Sequence, residues 1–233
     1  MRERLPDGRV RLPGLMRLDD AVEWTGVLWD DGEVDTIAGL VLATGVVDTL
    51  PLLADADAAI HAGLLRLCPV CDAYETDDRR VAVYGPPDAV ERHARFLRSF
   101  SAEVTALCDA GSAFGAARCQ ALQADGIATI DDVTPQALEG GCVVATRSDG
   151  SRARFDALYP FLGAAARSEL ATDLGAECDD QGELRVDRHQ QTSVPGLYAI
   201  GDIVSGLNQI SVAVGHAALA ATAIHNRLPQ KPL

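Results

Sequence analysis

Residues 81–107 read Val81-Ala-Val-Tyr-Gly85-Pro-Pro-Asp88-Ala-Val-Glu-Arg-His-Ala94-Arg-Phe-Leu97-Arg-Ser-Phe100-Ser-Ala-Glu103-Val-Thr-Ala-Leu107, and this stretch decides the fold. Val81 to Gly85 is a short apolar run closed by glycine, the pattern of a buried strand. From Asp88 to Phe100 the apolar residues Ala89, Val90, Ala94, Leu97 and Phe100 share one face of a helix, with Asp88 in the capping position. Glu103 to Leu107 supplies the next strand. Strand, helix and strand joined by short connections make a parallel crossover, the core of a doubly wound sheet.

On either side of this unit the chain resembles itself. Val27 to Gly32 is half a hairpin ending in Asp-Gly, and its return strand leads to Leu40-Val-Leu-Ala-Thr-Gly45. Val143 to Gly150 does the same and leads to Leu158-Tyr-Pro-Phe-Leu-Gly163, with 13 residues from turn glycine to final glycine in both cases. Either two short Asp-Gly turns coincide or two related dinucleotide-binding-type units are present. After Gly163 come a short strand at Leu184 to Val186, a buried strand at Leu197 to Gly201, and a long apolar helix from about Gln209 to Arg227. The expected fold is α/β, with two doubly wound, Rossmann-like domains carrying three-stranded β-meanders. Residues 51–161 form a domain inserted into another made of residues 1–50 and 162–233. That outer domain reads as incomplete, because nothing before residue 20 resembles an opening strand, Gly-rich turn and helix.

Composition narrows the function. Of 233 residues, 34 are acidic and 20 basic, a formal charge of −14, without any Lys or Arg cluster. Nucleic acid and anionic membranes are bound through basic patches, so neither is expected as a partner. No apolar run reaches the roughly 20 residues of a membrane span, and the N-terminus lacks the apolar stretch of a secretion signal. The expected location is the cytoplasm, where six cysteines read as free thiols unless their spacing says otherwise.

For Cys68-Pro-Val-Cys71 it does say otherwise. Two intervening residues let both sulfurs reach disulfide distance in the first turn of a helix, where Pro69 is well tolerated. A helix N-terminus favours the thiolate, so the pair reads as a redox device, the alternative being a structural or accidental pair. Zinc is not expected, since Cys108, Cys119, Cys142 and Cys178 form no second such motif. Asp72 could protonate a leaving thiolate, or be an ordinary carboxylate at a helix start. Gly201-Asp202 ends a buried strand shortly before Gln209-Ile210 opens a helix. A carboxylate there can bind sugar or ribityl hydroxyls, or simply cap a turn.

Together, Ala43-Thr44-Gly45, Cys68-Pro-Val-Cys71-Asp72, Thr192 to Asp202 and Gln209-Ile210 resemble the low-molecular-weight thioredoxin reductase family in order and spacing from about residue 25 onward. The resemblance implies a flavin-type domain in residues 1–50 and 162–233 and an NAD(P)-type domain in residues 51–161. Electrons would pass from NADPH to FAD, to the Cys pair, and on to a thioredoxin-like or other disulfide. Cys71 would face the flavin, Cys68 would attack the outside disulfide, and Asp72 would be the acid. Thr44, Gly45, Gly201, Asp202, Gln209 and Ile210 would contact FAD, and Gly85 would belong to the nucleotide loop.

The sequence also departs from that pattern. The family's opening Gly-rich segment, which holds the FAD pyrophosphate, has no counterpart here, so FAD affinity is expected to be weakened. A domain lacking its start would expose apolar surface that a homodimer would cover. Gly85-Pro86-Pro87-Asp88 stands where a glycine cluster should be, and prolines remove N–H donors from a phosphate cradle. Leu107-Cys108-Asp109 puts an acid where the family has bases for the NADPH phosphate, so NADPH is disfavoured. The competing expectation is a redox-sensing or non-catalytic chain that binds neither cofactor.

Overall fold

The computed structural model describes residues 39–204 and 206–228, except the side chains at 136 and 137, and before them the backbone of four short strands. The chain divides into two units, residues 1–47 with 164–233, and residues 48–163. The first opens with β1 (Glu3–Arg4), β2 (Val10–Arg11), β3 (Thr25–Leu28) and β4 (Val34–Thr36), in that order in one sheet. β3 and β4 pair antiparallel, as a hairpin requires, while the Asp30-Asp31-Gly32 turn lies outside the described residues. β5 (Leu40–Leu42) and β6 (Val46–Asp48) follow.

The second unit comprises α1 (Ala56–His61), α2 (Pro69–Asp72), β7 (Arg80–Gly85), α3 (Pro87–Leu97), β8 (Glu103–Asp109), α4 (Ala116–Ala124), β9 (Ala128–Glu139), β10 (Cys142–Arg147), β11 (Arg152–Phe155) and β12 (Ala157–Pro160). Its sheet runs β11-β10-β9-β8-β7-β12, with β12, β7, β8 and β9 parallel and β9, β10 and β11 an antiparallel meander. Side chains alternate across a strand, and here both faces are covered. Val81, Val83, Val104, Ala106 and Tyr159 pack against Val90, Ala94 and Leu97 of α3 and Leu122 of α4. Ala82, Tyr84, Leu107 and Leu158 pack on the other side with Leu53, Ala59, Val143 and Phe155. This is the doubly wound arrangement expected from residues 81–107.

The helix start differs from expectation. Pro86 is the cap residue and Pro87 the first helical residue, because a proline's fixed φ suits that position and its missing N–H costs nothing there. Asp88 therefore lies inside the first turn, where its carboxylate meets Arg118.

The first unit resumes with β13 (Ala164–Ala166), α5 (Glu169–Asp173), β14 (Leu197–Ala199), a 3-10 turn (Gly201–Ile203) and α6 (Ile210–His225). β14 pairs parallel with β5, and Leu40, Leu42, Leu197, Ala199, Leu170 and Ile203 share a core. The expected strand at Leu184 to Val186 does not form. Leu184 alone makes bridges, to Cys178 and Val204. Among the described residues no helix is long and apolar enough to cross a membrane.

Candidate active site

The Cys pair reaches its place through the edge of the second unit's sheet. After α1, Gly63 takes φ +67°, and its carbonyl accepts from Arg66 Nε at 2.9 Å. A side chain at Gly63 would press against that guanidinium at 3.3 Å, so glycine serves both the turn and the close approach. Residues 64 to 66 then run beside β12: Leu158 N–H donates to the Leu64 carbonyl at 2.8 Å and Arg66 N–H to the Leu158 carbonyl at 2.9 Å. Leu65 is buried beneath. Cys68 caps α2, Pro69 is its first residue, and Cys68 and Cys71 are joined as a disulfide with Cα atoms 5.2 Å apart. Cys71 is exposed and Cys68 half-buried. α2 is one turn of 4 residues, too short for an appreciable dipole, so the helix terminus expected to favour a thiolate is a minor influence.

Side chains set the field instead. Arg66 is only 8% exposed, and its Nη1 lies 3.1 Å from Asp72 Oδ2 and 2.9 Å from Glu75 Oε2. A buried cation without partners would be costly, and two carboxylates meet the need. The Tyr159 hydroxyl, on β12 inside the core, donates to Asp72 Oδ1 at 2.7 Å. Tyr74 donates to Glu75 Oε1 at 3.3 Å. Burial, and then the Asp72 carboxylate, push the Tyr159 phenol well above its ordinary range, so it stays a donor. Hydrogen bonding to Arg66 lowers Glu75, and although burial opposes the Arg66 charge, Glu75 and Asp72 raise its pKa. Ile60, His61, Arg66, Cys68, Asp72 and Glu75 line an open cavity of about 370 Å³. Sequence reasoning found Cys68, Cys71 and Asp72 but missed Arg66, Glu75 and Tyr159. Arg66, two residues before the motif, is the signal nearest to it in sequence.

The α3 start offers little to a pyrophosphate. Pro86 and Pro87 lack N–H groups, and those of Ala89 and Val90 both donate to the Pro86 carbonyl. Gly85 is occupied from the protein side, because a Cβ there would meet the Phe161 carbonyl oxygen at 2.6 Å. At the end of β8, Asp109 Oδ1 is buried with no hydrogen-bond partner among the described residues. Cys108 beside it is buried and its thiol is pushed up to about 12, first by burial and then by Asp131 and Asp109, which leaves it inert. Among the described residues no cluster of His, Cys, Asp or Glu could hold a metal.

In the first unit, the parallel pairing of β5 with β14 brings the remaining predicted residues to one end of the pair. Thr44 and Gly45 follow β5, and Gly201 and Asp202 follow β14. The Thr44 hydroxyl donates to the Arg167 carbonyl at 2.8 Å, and Gly45, at φ +68°, faces open space. α6 packs on the 3-10 turn that carries Asp202. Gln209 caps α6 with no side-chain hydrogen bond to its first turn, and Ile210 is 86% exposed. A carboxylate, a glycine with room beside it, a helix start and an exposed apolar side chain fit the ribityl and ring parts of a flavin.

The model of the family described as pyridine nucleotide-disulphide oxidoreductase matches residues 14–217. The chain is 24% identical to a thioredoxin reductase of Mycoplasma pneumoniae over 92% of its own length and 71% of the relative's. It is 27% identical to that of Peptoclostridium litorale over 66% of its length and 54% of the relative's. The crystal structure of HlmI superimposes with a TM-score of 0.74 at 27% identity, covering 86% of this chain and 63% of that one. The chain thus spans between about half and 71% of the length of these proteins. From the match over residues 14–217, the Cys68–Cys71 disulfide and the doubly wound sheet, the chain belongs to the pyridine nucleotide-disulphide oxidoreductase family, in its low-molecular-weight thioredoxin reductase group.

Proposed function

We propose that this chain acts as a flavin-dependent disulfide oxidoreductase whose Cys68–Cys71 pair delivers electrons to a thioredoxin-like or other disulfide. The observation that carries this reading is the pair itself, held as a disulfide at the rim of an open cavity beside an ion-paired carboxylate. In the reduced pair the Cys68 thiolate attacks one sulfur of the outside disulfide, the outside S–S bond breaks, and the departing thiolate takes a proton from Asp72. Cys71 then gives up its thiol proton as its sulfur attacks the Cys68 sulfur, the second outside thiolate leaves and takes up that proton, and Cys68–Cys71 is restored, so two electrons and two protons are delivered. A flavin, when bound, supplies the two electrons that reopen the pair. Asp202, Thr44, Gly45, Gln209 and Ile210 would hold it in the first unit.

NADPH does not fit the second unit well, because the α3 start is poor in donors, with no N–H on Pro86 or Pro87 and those of Ala89 and Val90 engaged, and Asp109 would repel a 2′-phosphate. A carboxylate at the carboxyl end of β8 is instead suited to accept from ribose hydroxyls. The same two prolines favour a second reading, in which the chain holds the redox pair without either cofactor and senses or relays thiol state.

The test is the visible absorption spectrum of the purified protein, before and after incubation with excess FAD and removal of the unbound excess. Retained flavin bands, bleached by a reductant and restored by a disulfide, support the flavin reading. A protein that retains no flavin, yet whose reduced pair still exchanges with disulfides, supports the second.

A further inference from the structure

Asp72 is gripped on both oxygens. Oδ1 receives the Tyr159 hydroxyl at 2.7 Å and Oδ2 faces Arg66 Nη1 at 3.1 Å. Both partners are fixed by the sheet edge: Tyr159 is the third residue of β12, and Arg66 leaves the stretch that bonds to Leu158, the residue before it. Arg66 is also tied to the Gly63 carbonyl and to Glu75, so its fork has little freedom to turn. The charged and titratable groups around the carboxylate are Arg66 from the sheet-edge stretch, Tyr159 from β12, Glu75 and Tyr74 from the turn after α2, and His61 from the end of α1. Cys68 and Asp72 line the same cavity.

We infer that Arg66 and Tyr159 are positioning residues that fix the Asp72 carboxyl beside the Cys68–Cys71 pair for proton transfer to the thiolate expelled by Cys68. The inference deepens the disulfide-exchange reading and rests on it. Arg66 can only donate, so Asp72 carries a proton on Oδ2 only by giving up that contact. The proton it delivers is therefore one taken from Cys68 as this thiol becomes the attacking thiolate. The S–H bond of Cys68 breaks, its sulfur joins the outside sulfur, the outside S–S bond breaks, and the same proton ends on the expelled thiol. No other reactant is needed. A misplaced carboxyl would fail at this transfer, whereas the Cys68 thiolate would still form by fast proton exchange with water and attack a disulfide whose leaving group needs no proton.

Two probes separate these roles. An alkyl disulfide, bis(2-hydroxyethyl) disulfide, expels a basic thiolate that needs the proton. An aryl disulfide, 5,5′-dithiobis(2-nitrobenzoate), expels a stable anion that does not. The full chain, with Cys119, Cys142 and Cys178 replaced by serine, is reduced, freed of reductant and mixed with each probe near neutral pH. Tyr159→Phe is expected to slow the alkyl probe about tenfold and leave the aryl probe within about twofold. Asp72→Asn should slow the alkyl probe at least as much, and the double variant combining Tyr159→Phe with Asp72→Asn should be no slower than Asp72→Asn alone. Arg66→Met should repeat the Tyr159→Phe pattern, with Arg66→Lys recovering part of the rate. If Arg66→Met does not fold, Tyr159→Phe decides alone, since it removes one hydroxyl and keeps the ring. Equal slowing of both probes, no slowing of either, or a further loss in the double variant overturns the inference. A protein that takes no flavin would refute the flavin reading and leave this comparison intact, because both probes read the chemically reduced pair.

Discussion

Gly85→Ala separates two reasons for a glycine at the end of β7, a cradle for a ligand and a close approach within the protein. A methyl group built there would sit 2.6 Å from the Phe161 carbonyl oxygen and 3.2 Å from its carbon, with φ at +148°, where side chains rarely go. The obstacle cannot retreat freely. Phe161 N–H donates to the Tyr84 carbonyl at 2.7 Å, and the Phe161 ring stacks on His93 with centroids 3.4 Å apart. Relieving the contact means parting the carboxyl ends of β7 and β12, which sacrifices that hydrogen bond at about 1 kcal/mol on top of backbone strain of about 1–3 kcal/mol. The expected loss is about 2–4 kcal/mol, a fall in Tm on the order of 10 °C for a unit of this size. Thermal unfolding followed by circular dichroism measures it, with Gly150→Ala as control. Gly150 lies in the β10–β11 turn at φ +83° with nothing within 4 Å of a built Cβ, so its replacement should cost only about 1 kcal/mol. Equal Tm losses in the two variants would refute the close-approach argument. A Gly85→Ala protein with unchanged Tm but weakened nucleotide binding would make the glycine a ligand cradle.

Three further outcomes are expected. Asp156 takes both Arg80 Nε and Nη2, at 3.0 and 2.6 Å, and the Arg80 backbone N–H, and the Arg80 hydrogen bond leads in holding its carboxyl at about 2. A carboxyl lowered in the folded state stabilises above its ordinary range and loses that contribution as pH falls toward 2. With Arg80 45% and Asp156 29% exposed, Asp156→Asn should cost only about 1 kcal/mol in urea unfolding at pH 7. The gap to the parent should close between about pH 4 and pH 2, and a gap that persists at pH 2 would count against the pair as its source. Cys71→Ser should trap Cys68 as a mixed disulfide with an outside thiol, whereas Cys68→Ser should form no productive adduct. Mass spectrometry of the reduced variants after exposure to a disulfide reads this, and equal adducts would remove the assignment of roles. NADPH should bind no more tightly than about 1 mM by calorimetry, given the donor-poor α3 start, and micromolar binding would contradict that reading of the Pro86-Pro87 turn.

The crossover unit was legible because its strands are buried on both faces and its helix on one, so a short apolar run closed by glycine and a 3.6-residue apolar period tell them apart. What escaped were features that depend on a partner. β9 contains Asp131, Asp132 and Pro135, residue types that strands disfavour, yet Pro135 sits opposite Ala145 beside a register shift in β10, where the ladder tolerates it. Leu184 to Val186 is apolar enough for a strand but meets its neighbours only at Leu184. Side-chain capping preference points to Asp88 as the cap of α3, but Pro87 suits the first helical position and the helix begins there.

The site divides along the same line. The spacing of Cys68 and Cys71 is local information, and so is the acid beside them, and both could be read directly. The groups that govern that acid come from elsewhere, since Tyr159 is 87 residues from Asp72 and is delivered by β12 at the edge of the parallel sheet. In such sheets consecutive strands are joined by crossovers of a dozen or more residues, so the residue that orients a motif lies far away in sequence as a rule. Nothing in the composition of residues 157–160 marks Tyr159 as other than core, and by burial it is core. Only the hydroxyl distinguishes it, and a buried tyrosine hydroxyl needs a partner. The tyrosine of this fully buried edge strand therefore requires an acceptor from a segment packed beside the strand. The Leu64–Arg66 stretch, laid beside that strand and leading straight into Cys68, supplies that acceptor in Asp72.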